Sequence, residues 1–279
     1  MTADEEYLPF PEVDIEKILV KWDDCVTVTL GLVPQELPEK MEIQDFDCAP
    51  VFDGDTLLGL ISRERLQELA INGHKLADND HGIVLTDDCE VRPGVRLDAL
   101  LSKMAERAAR IVLHEGDAGD YGPLTVTYGL LTRSDLNRHP VRVTVYQLLA
   151  ALEMALADLV RKSVSDHLTW IKRLREDSQA RILGYWELSK LKGVDTGPVA
   201  GATLSDLLNA TAKLPGLSSR LGYKSRTAFD DAVGGIPDVR NQVMHPVRPL
   251  VTDPQSCLRI KAVLEEVVRL TRRVQGLSS

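Results

Sequence analysis

GLISRERL, Gly59–Leu66, and GLLTRSDL, Gly129–Leu136, are two copies of one pattern. They agree at the glycine, the first leucine, the arginine and the last leucine. A repeat of this kind implies that one supersecondary unit occurs twice. Each copy reads the same way: the glycine allows close backbone approach, a hydroxyl residue (Ser62 or Thr132) caps a following helix, and its N-terminus attracts an anion. In the second copy Asp135 stands three residues after Thr132 and can take ribose hydroxyls. In the first copy Arg65 replaces the acid, so that site is either lost or reads phosphate. Ser or Thr with an acid three residues on is also a plain capping box, and the glycine can serve strand packing alone.

Working outward, 48–52 (CAPVF) and 57–62 (LLGLIS) alternate as strands around the turn Asp53-Gly54-Asp55. A helix is expected from Ser62 to about residue 71, before Asn72-Gly73. Upstream, 26–30 (VTVTL) reads as a strand leading through Gly31 and Pro34 into a helix over 34–42. The second copy repeats the order, with a short strand at Val91, a helix over 95–109, strands over 110–114 and 124–131 around the loop EGDAGDYGP, and a short helix from Thr132. The histidines of NGHKLADNDHG stand seven apart, which fits a solvated linker better than a metal site.

The motif G-h-x-[ST]-x-x-D, with h apolar, is complete at 129–135, and residues 10–140 resemble a tandem pair of CBS domains, the module named after cystathionine beta-synthase. The resemblance implies an α+β regulatory domain of two β-α-β-β-α repeats that binds an adenine nucleotide in the cleft between them. It places Gly129, Thr132 and Asp135 at the ligand, with Thr132 on phosphate and Asp135 on ribose. Ser62 and Arg65 are the matching positions of the first repeat. It also allows a pair that binds nothing and serves as a dimerisation scaffold.

From Val143 the period changes from two to 3.6. Val145, Leu148, Leu149, Leu152, Leu156 and Leu159 line a helix to about residue 163, with Glu153 at the edge of the stripe. A buried carboxylate needs a partner, and Arg240 and a surface lysine are the alternatives. A long amphipathic helix is expected over 165–191, with the basic cluster Lys172, Arg173 and Arg175 either meeting RNA or facing solvent. Next come a loop over 192–202, a helix capped by Thr203 and Asp206 to 213, and another over 225–233. Gly234-Gly235 then precedes a short helix with Pro237 in its first turn, and a last helix runs from Asp253-Pro254 to about 274. Residues 141–279 are therefore an all-α bundle of about five helices.

Within it, RNQVMHP, Arg240–Pro246, joins a permanent cation, an amide and an imidazole where a helix must stop. On an uninterrupted helix Arg240 and His245 would lie about 140° apart. Pro246 biases His245 out of the helical region, and Asn241 can fix its tautomer. Arginine to hold and stabilise a phosphate, with histidine to move protons, suits phosphodiester cleavage. The same cations at a helix end can simply neutralise the macrodipole.

The motif and the helical layout resemble HEPN domains, whose Arg-x(4 to 6)-His signature marks metal-independent endoribonucleases that act as homodimers. Other members only bind nucleotides or partners. The resemblance implies that Arg240 and His245 are catalytic, with Asn241 their polar companion. The chain is thus expected to be a nucleotide-regulated endoribonuclease that uses the ribose 2′-hydroxyl of RNA, and a toxin or defence candidate. It would need no cofactor or metal, with an adenine nucleotide as regulator. The alternative is a non-catalytic CBS–HEPN nucleotide sensor or scaffold.

Charge supports a division between the halves. Residues 1–140 carry 13 Lys and Arg against 28 Asp and Glu, a balance of −15, and residues 141–279 carry 20 against 14, a balance of +6. A basic half suits a polyanion, or merely solvates long helices. The N-terminus MTADEEYLPF is acidic, no uninterrupted apolar run approaches a membrane span, and a cytoplasmic protein is expected. Cys25, Cys48, Cys89 and Cys257 are scattered, without metal or disulfide spacing.

Overall fold

The computed structural model describes residues 10–278 apart from 45, 55, 78–82, 85–89 and 116–124. Residues 116–123 of the loop EGDAGDYGP and residues 78–82 of NGHKLADNDHG therefore lie outside the described residues. Two compact units form: an α/β unit of Glu12–Pro140 with Val251–Cys257, and a helical unit that includes Val141–Leu250 and continues from Leu258.

The α/β unit runs β1 (Val20–Lys21), β2 (Val28–Thr29), β3 (Gly31–Leu32), α1 (Glu36–Ile43), β4 (Cys48–Asp53), β5 (Thr56–Ser62), α2 (Arg63–Asn72), β6 (Lys75–Leu76), β7 (Ile83–Val84), β8 (Glu90–Val91), α3 (Leu97–Glu106), β9 (Ala109–Glu115) and β10 (Thr125–Thr132). Two four-stranded sheets result, ordered β2-β4-β5-β7 and β8-β9-β10-β1. Both are built alike: a parallel strand (β2 or β8), an antiparallel hairpin (β4-β5 or β9-β10), and an antiparallel edge strand. That edge strand is exchanged. β1 precedes the first hairpin yet pairs with β10 of the second, and β7 precedes the second yet pairs with β5 of the first. Each repeat thereby covers an edge of the other, where exposed ladder groups would otherwise remain. This leading strand extends the β-α-β-β-α pattern expected from the sequence, because a two-residue strand carries no periodicity to detect.

One core cluster packs Ala49 and Val51 of β4 against Met41 of α1 and Leu66 and Leu69 of α2. A second joins the sheets through Leu60, Ile111 and Leu130. Ser62 caps α2 by accepting the Arg65 N–H at 3.2 Å, and Gly73 closes the helix in the left-handed region at φ 63°. The C-terminal carbonyls of α3 meet cations: the fully buried Arg110 donates to the Lys103 carbonyl at 3.0 Å and Arg133 to the Met104 carbonyl at 3.0 Å. Asn137 holds the Val251 backbone in both directions at 2.8 Å.

The helical elements are α4 (His139–Ser163), α5 (His167–Ile171), α6 (Glu176–Leu191), α7 (Leu204–Lys213), α8 (Leu217–Arg220), α9 (Arg226–Val233), α10 (Ile236–Met244) and α11 (Pro254–Ser278). These are eight α-helices among the described residues, rather than about five. The single helix expected over 165–191 is two. The Arg173 and Leu174 amides bond back to Trp170 and Ile171, tightening the last turn of α5, and Arg175 is extended. The Leu174 carbonyl is then taken by the Gln179 side chain at 3.0 Å. This break lets Trp170, Ile171, Leu174 and Ile182 all be buried. Thr203 and Asp206 form the capping box of α7, and Pro237 lies in the first turn of α10.

Among the described residues α4 is the one helix long and apolar enough to cross a membrane by length and composition. A search for an uninterrupted apolar run misses it, because isolated residues such as Arg142 and Glu153 punctuate the sequence. The stripe Val145, Leu149, Leu152, Leu156 and Leu159 is buried inside the protein.

Candidate functional site

The first candidate site lies after β10. Gly129 faces Lys21 of β1, and a Cβ added there would stand 2.4 Å from the Val20 carbonyl oxygen and 2.9 Å from Leu19 Cδ1. The close approach that requires glycine is therefore to β1. Thr132 ends β10, and the next element is a four-residue 3-10 helix, Ser134–Asn137, rather than the capped α-helix expected from Thr132. Asp135 is buried, and its Oδ2 accepts the Thr132 N–H and hydroxyl, each at 2.7 Å. Its Oδ1 meets Arg138 Nε at 2.9 Å. Both carboxylate oxygens thus have partners inside the chain. Burial raises the Asp135 pKa, against the pull of the Thr132 hydrogen bonds and of Arg138.

Two thiols share these surroundings. Cys25 and Cys48 are half-buried, pack against the same inter-sheet cluster, and have their pKa values pushed up to about 12, chiefly by burial, with the Asp135 charge adding to both. At neutral pH neither is a nucleophilic thiolate. From the sequence these cysteines read as small buried hydrophobes without metal or disulfide spacing; their closeness to Asp135 was not legible there, because it joins segments far apart in the chain. In the first repeat Ser62 is exposed and Arg65 pairs with Glu68 at 2.7 Å on the surface of α2.

The second candidate site is the end of α10. The helix stops at Met244, and His245 takes φ −112° and ψ 86°, as a residue before proline should. Its N–H still reaches the Asn241 carbonyl at 3.1 Å, and its carbonyl accepts the Arg248 N–H at 2.9 Å, which turns the chain back. Arg240 is half-buried, while Asn241 and His245 are exposed. Glu153 of α4 lies near enough to Arg240 for the guanidinium to act on it. Burial raises the Glu153 pKa and the Arg240 charge pulls it down, without a direct ion pair among the described residues. Of the two partners weighed for Glu153, the guanidinium is the one the structure brings to it.

Arg142 of α4 is the residue that sequence reading missed. It is only 6% exposed, and it donates to the Gln242 carbonyl at 2.8 Å and to the Arg248 carbonyl, bracketing His245 from both sides. Burial lowers its pKa. A signal was present: Arg142 continues the buried stripe Val145, Leu149 and Leu152 by helical spacing, and a cation in an apolar stripe requires a partner.

The basic cluster Lys172, Arg173 and Arg175 is exposed at the break between α5 and α6, where Arg173 Nη1 donates to the Lys213 carbonyl at 3.1 Å. Among the described residues no three His, Cys, Asp or Glu side chains converge in a way that could hold a metal ion. A cleft of about 430 Å³ is lined by Arg63, Gln67, Glu39 and neighbouring residues of α1 and α2, and contains neither candidate site.

No protein-family model matches the chain, and no curated protein matches it. Among solved structures it is similar to CBS-domain proteins over slightly less than half of its length. A CBS domain-containing protein of unknown function from Bacillus anthracis is 14% identical over 46% of this chain and 91% of that one, with a TM-score of 0.33. The CBS domain of a bacterial CNNM/CorC family Mg2+ transporter in complex with ATP is 17% identical over 44% and 84%, with a TM-score of 0.31. CbpB in complex with c-di-AMP is 15% identical over 48% and 87%, with a TM-score of 0.32.

Proposed function

We propose that the chain is a HEPN-type endoribonuclease joined to a CBS-type nucleotide-responsive unit, acting as a homodimer in the cytoplasm. The observation that carries this reading is the end of α10, where a half-buried Arg240 beside Glu153 precedes a His245 that has left the helix, in a turn whose flanking carbonyls, Gln242 and Arg248, are both held by Arg142. In the proposed reaction His245 takes the proton of a ribose 2′-hydroxyl, and that oxygen forms a bond to the adjacent phosphorus. The bond to the 5′ oxygen breaks, and this leaving oxygen takes the proton held by the His245 imidazolium, which returns the imidazole to its neutral form. Products are a 2′,3′-cyclic phosphate and a 5′-hydroxyl. Arg240 stabilises the charge that develops on the phosphorane, Asn241 orients the imidazole, and Glu153 orients Arg240. Because the nucleophile is the RNA's own 2′-hydroxyl, the scheme draws on no metal.

An adenine nucleotide at Gly129, Thr132 and Asp135, with Ser62 and Arg65 at the matching positions, regulates the site by population shift. Oδ2 of Asp135 already accepts two hydrogen bonds and Oδ1 meets Arg138, so a ribose hydroxyl would take the remaining Oδ1 lone pair or displace Arg138. The test is cleavage of end-labelled single-stranded RNA and tRNA in EDTA, with and without ATP and AMP, by wild type and His245→Ala. Cyclic-phosphate ends that vanish in the variant support the reading. No cleavage under any ligand by folded protein overturns it.

A non-catalytic nucleotide sensor or scaffold is supported by one observation, that the Arg240 charge acts on the half-buried Glu153, an attraction between α10 and α4 that needs no substrate. On that reading Arg240→Ala lowers stability, and no RNA is cut.

A further inference from the structure

We infer that the outer face of α6 pairs, in parallel, with the same face of a second copy of this chain. At about 100° per residue, Ala180, Leu188 and Leu191 lie within about 40° of Gly184 and form one face. Among the described residues nothing covers that face: Leu188 is 52% and Leu191 85% exposed, and a Cβ at Gly184 would meet nothing within 4 Å. Ile182, on the opposite side, is the one fully buried residue of the helix. A helix of this length is stabilised by packing an apolar face, and here a second apolar face is left open.

Charge selects the occupant and its direction. Glu176 and Glu187 lie about 60–80° to one side of Gly184, and Arg181 and Lys192 about 60–80° to the other. Each acid stands five residues before a base, Glu176 before Arg181 and Glu187 before Lys192. In a parallel two-stranded pairing, flanking residues five apart meet across the interface, so the acidic edge of each helix lies against the basic edge of its copy. An antiparallel pairing would set acid against acid and base against base. Among the described residues neither Glu176 nor the Lys192 ammonium has a hydrogen bond or ion pair within the chain, Arg181 is held at the edge by the Gly201 carbonyl and Asp206, and Glu187 shares its charge with Lys190 of its own helix at 3.0 Å, an exposed pair that the Lys192 of the second copy would have to join or displace. Asp177 faces its own copy at the N-terminal end and opposes the pairing, which sets its affinity below that of an obligate dimer.

This names the surface for the homodimer of the proposed function, and its test uses no RNA, so the two readings fail separately. Sedimentation of the full chain at tens of micromolar is expected to show a dimer. Glu187→Lys and Lys192→Glu should each weaken it at least about tenfold, the double exchange should restore it, and Asp177→Asn should tighten it. Leu191→Cys settles direction. Under mild oxidation it should cross-link to itself, as Gly184→Cys does, while Lys190→Cys, off the face, should not. All these positions are exposed, and circular dichroism confirms that each variant is folded. A monomeric wild type, a dimer indifferent to the charge exchange, or cross-linking at 184 without cross-linking at 191 overturns the proposal.

Discussion

Replacing Arg142 by methionine removes one guanidinium and leaves two carbonyls without their donor, those of Gln242 and Arg248. Hydrogen bonds to charged groups contribute about 1.5–3 kcal/mol each. The net loss is smaller than their sum for two reasons. The variant no longer buries a charge, and Arg248 is exposed, so water can replace the lost partner there. Gln242 is half-buried, and its carbonyl bears most of the desolvation, so the expected destabilisation is about 1–3 kcal/mol. Arg142→Lys keeps a cation but not the fork that spans both carbonyls, and should lose about half as much. Urea unfolding measures the global term. Hydrogen exchange measures the local one, because the Arg248 amide, bonded to the His245 carbonyl at 2.9 Å, should lose protection when the bracket is removed. Stability within about 0.5 kcal/mol of wild type for Arg142→Met, with unchanged exchange at Arg248, would refute the claim that Arg142 positions His245.

Gly129→Ala should destabilise the α/β unit by at least about 1–3 kcal/mol, since the new Cβ meets backbone at 2.4 Å rather than a side chain that can turn away; thermal unfolding against wild type checks it. In the capping box of α7, burial pushes the Asp206 pKa up, but hydrogen bonds from Thr203 and Ser178 and the Arg181 charge leave it below the usual carboxylate value. Its contribution is therefore present above about pH 4 and lost as pH falls through the depressed folded value. Asp206→Asn should flatten the acid limb of the stability profile, and Thr203→Ala should cost about 1 kcal/mol, both read by unfolding across pH. Arg240→Met should raise the Glu153 pKa further above its ordinary value, since the guanidinium is the influence pulling it down. Carboxyl-detected NMR titration of Glu153 reads this, and an unmoved titration would separate the two residues.

Much of the local structure was legible without coordinates. The two hairpins follow from alternation around Asp53-Gly54-Asp55 and its counterpart, α2 from Ser62 and Gly73, α7 from Thr203 and Asp206, and the end of α10 from Pro246. These features depend on a residue and its near neighbours, through caps, turn conformations and side-chain period, so sequence alone determined them. What only the tertiary structure decided involves partners far apart in the chain. The exchange of β1 and β7 between sheets leaves no periodic trace in two residues. The break between α5 and α6 occurs without glycine or proline, because burying Trp170 and Ile182 together outweighs helix continuity. The bracket that Arg142 places around His245, across 100 residues or more, belongs to the same class. Sequence names the groups that can donate, accept or titrate, and packing decides which of them meet.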